Sequence, residues 1–551
     1  MICLILYKMK YLLLLFIVIS VSISCKIKED RRSEQEKTVF RYNESAGITT
    51  LDPAYVRRFE DFLAIEQLYN GLVTLDDNSK IIPSIAKSWN VSDDGLTYTF
   101  NLRKDVFFNE SELFGDRKTR RVTASDFLYS FLRILDPSTA SPGRYIFENL
   151  NHSSGKFSGV IAEDENTLVL HLSMPQPSLI YQLSLPYCSV VPHEVVEHYE
   201  NDFSTHPIGT GPFFLKRWKK DVKMILAKNT TYFEKDENGI NLPYLDAVSI
   251  YFIQDKHQEF IKFKAGNLEM ISGMNEEDKD QLLNPEGELN EELVRQFTLQ
   301  KTDWLNTEYL GVLMEKQKTT PLQSRLIRQA IGYAIDRDDM IRYLRNNIGT
   351  SATKGFIPKG MPNFEQYTIE GFSYDLDKTN ALIKEAGYND ANKIPAITLS
   401  ATPEYRTLCE YLQQKLERVG FTIVVDVNSV SSMNQRIAQF EATFYRKSWI
   451  ADFPDAINYF QLFYSKNFYP EFGSNYTHFN SKEYDSLYEL ALIEKNESAR
   501  NTLYKKLNQI LHDEAPVIPL FYAETLRFLK VNVKGLKGNS LNMLSLKSVK
   551  L

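Results

Sequence analysis

Residues 395–427 read PAITLSATPEYRTLCEYLQQKLERVGFTIVVDV, and this stretch decides the fold class. Residues 395–401 form a short strand-like run opened by Pro395. Residues 405–419 then carry Leu408, Leu412 and Leu416 four apart, which places them on one face of an amphipathic helix. Gly420 closes that helix, and residues 421–427 run on as a second strand rich in valine. Strand, helix and strand in succession predict a βαβ unit, hence a parallel sheet and an α/β protein.

The same reading extends outward. Residues 96–102, LTYTFNL, alternate with period two and predict a half-buried strand, and residues 168–172 a second. Thr123-Ala-Ser-Asp126 opens the run FLYSFLRIL like a capping box with Asp in place of Glu, and Asp136-Pro137 ends that helix. One helix is expected over 326–343, with Gly332 as a weak point, and two more over 482–495 and 498–513 before a strand at 517–521. No repeat and no low-complexity linker follows residue 38, so any domain boundary is a compact crossover.

The chain has 551 residues, 43% hydrophobic and 25% charged, with 31 Tyr, 34 Phe and 4 Trp. That is globular composition, which excludes disorder, collagen and coiled coil. It carries 64 basic against 71 acidic residues and gathers no basic face, so nucleic acid is not an expected partner. Four cysteines cannot form a disulfide scaffold; Cys188 and Cys409 are expected to be plain buried thiols.

Residues 11–22, YLLLLFIVISVS, follow Lys8 and Lys10. Twelve residues reach roughly 18 Å along a helix, too short for a hydrocarbon core of about 30 Å, so the segment reads as a secretory signal. Met9 offers an alternative start. Ser22-Ile-Ser-Cys25 is similar to a lipoprotein cleavage site, with Ser22 where that pattern prefers Leu. The expectation is a signal peptide at 1–24, lipid attachment at Cys25 and a charged tether at 25–37. Losing Lys8 and Lys10 with the leader takes the net charge from −7 to −9.

Catalytic motifs are near misses. His193 and His198 stand five apart, about 500° around a helix, so they diverge where a zinc helix needs histidines four apart. Gly209-Thr-Gly211 lacks the third glycine of a dinucleotide loop, since residue 214 is Phe. Neither a phosphate-binding loop nor a Gly-x-Ser-x-Gly elbow is present. No enzyme, no metal and no cofactor are expected.

Several blocks stand in one order: Thr50-Leu-Asp-Pro53, Leu68-Tyr-Asn-Gly-Leu72, Ile82 to Trp89 running into Asp94 to Arg103, Val122 to Phe127, Pro207 to Phe213, Tyr333-Ala-Ile-Asp-Arg337 and Trp449-Ile-Ala-Asp-Phe-Pro-Asp455. From about residue 48 onward the chain resembles the peptide/nickel class of extracellular solute-binding proteins of ABC importers, family 5, and most of all oligopeptide-binding lipoproteins. Most blocks are turn and cap chemistry that specifies fold. The resemblance implies a two-lobed periplasmic-binding-protein-like fold with mixed sheets, a hinge, and an extra domain at 71–171. One lobe would comprise 38–70, 172–254 and 514–551, the other 255–513.

The resemblance also implies a site. A buried peptide needs a carboxylate for its amine, a cation for its carboxylate and free strand edges for its backbone. Asp452 falls where relatives grip the ligand amine, and Arg446 where an arginine can meet its carboxylate. Arg406 is a further carboxylate candidate, off register by about two residues. Trp449 would floor a side-chain pocket, and Lys447, Ser448 and their neighbours would supply backbone bonds. Asp455 is expected to be structural. The implied partners are short peptides, the membrane subunits of an importer and, through the lipid, a membrane at the bacterial envelope; the chain itself would be a monomer. A nickel chelate, haem or glutathione are alternative ligands on the same fold, and a surface adhesin or hydrolase is the alternative class.

Overall fold

The computed structural model describes residues 37–153, 156–274, 276–315 and 320–551. The expected signal peptide, the expected lipid attachment at Cys25, the alternative start and the expected tether up to residue 36 lie outside the described residues. Among the described residues, no helix is long and apolar enough to cross a membrane.

The βαβ unit forms as its sequence dictates. Strands Ile397–Ala401 and Ile423–Val427 pair in parallel from Ile397↔Ile423 to Ala401↔Val427. Helix Arg406–Glu417 connects them and buries Leu408, Cys409, Leu412 and Leu416. Gly420 follows at φ +91°, the left-handed conformation that favours glycine.

This unit is one end of a mixed eleven-stranded sheet. At the other end lie Phe213–Lys219, Lys223–Lys228, Ala247–Tyr251 and Val39–Asn43. Two long antiparallel strands join the ends, Phe297–Val312 and Val517–Lys530. Their register breaks between Asp303 and Thr307 and again between Glu308 and Tyr309. Met270–Ser272 pairs with both Val39–Asn43 and Val517–Lys530. Residues 270–272 thus lie between Val39–Asn43 and Val517–Lys530 in the sheet, and residues 517–522 pair with Thr307–Gly311.

Residues 86–171 build a separate four-stranded antiparallel sheet, Ala86–Val91, Thr97–Leu102, Thr167–His171 and Val160–Asp164. In Thr97–Leu102 the alternate residues Tyr98, Phe100 and Leu102 are buried. Helix Ala124–Leu135 covers this sheet; Asp126 accepts from the Thr123 amide at 2.8 Å, so the capping box forms. The Leu-Asp-Pro block is structural: Asp52 caps Ala54 at 3.0 Å and binds Arg133 at 2.5 Å with both side chains mostly buried.

The helix expected over 326–343 is two helices, Arg325–Ala334 and Arg337–Arg345. The break lies at Ile335, which is extended, and not at Gly332. Asp336 caps the second helix by accepting from the Asp339 amide at 3.0 Å. Gly332 is needed for packing, because a Cβ there would stand 2.5 Å from the Phe372 ring.

The near misses have structural employment. Glu194, between the two histidines, binds Arg120 at 2.5 Å on the helix His193–Tyr199. Cβ atoms at Gly209 and Gly211 would meet the Leu68 backbone at 2.1 and 2.4 Å, so these glycines let the loop lie against the end of helix Phe59–Leu68. Cys188 and Cys409 are free and buried.

Candidate ligand-binding site

Strand Phe444–Ile450 carries the Trp-x-x-Asp block out of the sheet. One edge pairs with the long strand, from Val312↔Phe444 to Asn306↔Ile450. On the other edge the described residues give one pair, Ser400↔Tyr445. Residues 446–450 therefore keep backbone donors and acceptors on an edge without a β partner, the condition for adding a strand.

Beyond Ile450 the Ala451 amide donates to Leu305 O at 2.9 Å, and the chain turns into Asp452. Ile450, Ala451 and Asp452 line one side of a cavity of about 450 Å³. The rest of the lining comes from outside the large sheet: Phe59, Phe62 and Glu66 of helix Phe59–Leu68, the separate hairpin Val73–Leu75/Ile81–Pro83, Tyr187, and the C-terminal segment 535–548. That segment is held by Gln67, which donates to Leu544 O at 2.5 Å and accepts from the Leu546 amide at 3.3 Å.

Asp452 is open to this cavity yet enclosed by protein. Burial raises its pKa, and a hydrogen bond from Asn458 Nδ2 at 3.3 Å opposes the rise. No ion pair joins it among the described residues. Asn458 is itself buried and accepts from Trp449 Nε1 at 2.9 Å, so one amide positions both residues. Asp452 in turn helps to raise the pKa of Tyr187 and of Tyr145, whose buried hydroxyl has no hydrogen-bond partner among the described residues.

The other expected residues lie elsewhere. Arg446 forms a buried ion pair with Glu308 and stacks over the Tyr405 ring, with side chains of 8% and 7% exposure for the pair. Lys447 sits 4.0 Å from the Tyr476 ring centroid, and burial, reinforced by Arg446, lowers its pKa to about 8. Ser448 is half-buried opposite Glu308. Arg406 is 58% exposed on the first turn of its helix, 3.9 Å from Glu410, outside the cavity. Asp455 has structural partners: it accepts from Tyr504 Oη at 2.6 Å and lies 3.5 Å from Arg500. Of the expected side chains, Asp452 alone lines the cavity. Sequence reasoning missed the rest of the lining, although the spacing of Phe59, Phe62 and Glu66 marks one helical face.

This architecture, a mixed α/β fold around a cavity, is that of a solute-binding protein. The model of the middle region of bacterial extracellular solute-binding proteins, family 5, matches residues 80–470, and the chain belongs to that family. Its relatives are solute-binding proteins, not enzymes. The chain is 28% identical to the dipeptide-binding protein DppE of Bacillus subtilis, covering 94% of this chain and 92% of that one. It is 27% identical to the heme-binding protein A of Haemophilus influenzae, covering 85% and 84%. The periplasmic binding protein DppA of Helicobacter pylori, solved with the peptide STSA, superposes with a TM-score of 0.74 at 26% identity, covering 94% of this chain and 99% of that one.

Proposed function

We propose that the protein captures short peptides in the cavity between its lobes and delivers them to an ABC importer. The observation that carries this reading is Asp452, a carboxylate on the cavity wall with no ion-pair partner among the described residues, beside a strand edge with no β partner among them. A protonated amine would neutralise the carboxylate, and the strand edge where it reaches the cavity at Ile450 would bond the peptide backbone whatever its sequence. Arg446 would meet the ligand carboxylate only by exchanging Glu308 for it. Trp449 shapes the floor through Asn458 without lining the cavity itself.

The lobes would close about the register breaks near Asp303 and Glu308 in the long strands, with ligand favouring the shut form. The lipid on Cys25 would hold the mature monomer at the envelope, its tether leaving the lobes free to meet the importer. An anionic ligand such as haem fits less well, because its carboxylates would face Asp452.

Native mass spectrometry of the purified mature chain tests the proposal. Heterogeneous short peptides, released on denaturation and sequenced by fragmentation, support it. A single non-peptide ligand overturns the substrate while leaving the family in place.

A further inference from the structure

The cavity that Asp452 lines carries a second acid. Glu66 lies on the same face of helix Phe59–Leu68 as Phe59 and Phe62, and all three line the cavity. Phe62 packs edge-on against Tyr187, ring centroids 5.2 Å apart, so an aromatic wall adjoins Glu66.

Glu66 has no hydrogen bond or ion pair among the described residues. Its nearest cation, Lys547, is bound 2.5 Å away to Glu234, whose Oε1 also accepts from Tyr232 Oη at 2.7 Å. Lys537 is likewise paired with Asp77 at 3.0 Å, whereas Arg57 donates to the neutral Ala140 carbonyl at 3.2 Å and keeps its charge. Asp76 spends its carboxylate on the hairpin turn, accepting from the Asn78 and Lys80 amides at 2.9 Å. Two carboxylates, Asp452 and Glu66, thus line one cavity, and neither forms an ion pair among the described residues.

Resting on the peptide reading above, we propose that Glu66 makes the receptor selective for peptides carrying a lysine or arginine side chain near the amino end. The α-amine would meet Asp452, the aliphatic stem would lie along Phe62 and Tyr187, and the charged head would meet Glu66. Burial, reinforced by Glu234 and opposed by Lys547, pushes the Glu66 pKa up to about 7, so the empty site holds its proton readily and a bound cation would release it.

Isothermal titration of the mature chain tests this with alanine peptides of two to five residues. Three forms of the first residue are compared: lysine, Nε-acetyl-lysine and alanine. The expected result is tighter binding of the lysine form by about tenfold or more over the acetylated form, and collapse of that ratio towards one in Glu66→Gln. Equal binding of lysine and acetyl-lysine forms by the wild type overturns the inference while leaving the peptide reading standing, and this arm needs no variant to fold. A lysine preference that survives unchanged in a folded Glu66→Gln also overturns it. Failure of all three forms to bind at every length removes the peptide reading, and the inference with it.

Discussion

Asn458 Nδ2 lies 3.3 Å from Asp452 Oδ2, and the same amide accepts from Trp449 Nε1, so a single buried side chain sets two residues of the Trp-x-x-Asp block. Asn458→Ala removes the donor to Asp452 and leaves the indole N–H without its acceptor. We expect a loss of about 1–3 kcal/mol in urea denaturation, together with weaker peptide binding.

Asp452 sets stability against function. Its folded-state pKa is raised by burial, so a protonated Asp452 favours the fold. That contribution is complete below the unfolded-state pKa and disappears as pH rises through the folded-state value. Asp452→Asn mimics the protonated form at every pH. The ligand-free variant should therefore melt above the wild type at neutral pH, with the difference vanishing on acidification. Peptide affinity of the wild type should fall as pH drops through the raised pKa. Thermal melts and titrations at several pH values check both.

The Arg446–Glu308 pair makes a prediction about the strand itself. Both side chains are nearly fully buried, so removing one leaves a buried charge without compensation. Glu308→Gln should cost about 3–5 kcal/mol. Replacing both partners, Glu308→Leu with Arg446→Met, should recover most of that loss. Denaturant midpoints of the two singles and the double complete the cycle.

Gly211→Ala acts on the site from a distance. The new Cβ would press into the Leu68 backbone at the end of the helix that bears Phe62 and Glu66. We expect a destabilisation of about 1–3 kcal/mol in urea denaturation. A shifted cavity wall should also lower peptide affinity by calorimetry.

How much of this was legible in the sequence follows from where the signals are local. The parallel unit at 395–427 was readable because helix and strand periodicities alternate there without interruption. The capping box at Thr123 and Asp126 was readable because its four residues are consecutive. The long strand Phe297–Val312 was not, because Gln300, Lys301, Thr302 and Asp303 interrupt its apolar pattern where the strand lies half-buried. The apolar run of Val517–Lys530 is legible only as far as Phe521, since Glu524, Thr525 and Arg527 break it although pairing continues. The break at Ile335 is not legible in sequence, because Asp336 reads as an ordinary polar position without the geometry of its cap. At the site, Asp452 stood in a recognisable block. The rest of the cavity lining is assembled from residues 57–82, 184–187 and 535–548, and no local pattern brings those segments together.

The measurement that bears most directly on the account compares one peptide with a free amino end and the same peptide N-acetylated, titrated into the wild type and into Asp452→Asn. If Asp452 anchors the amine, acetylation weakens binding to the wild type by roughly a hundredfold, and Asp452→Asn shows comparable loss with the free peptide and little further loss on acetylation. Equal affinity of the free and acetylated peptides for the wild type would contradict the account at its centre.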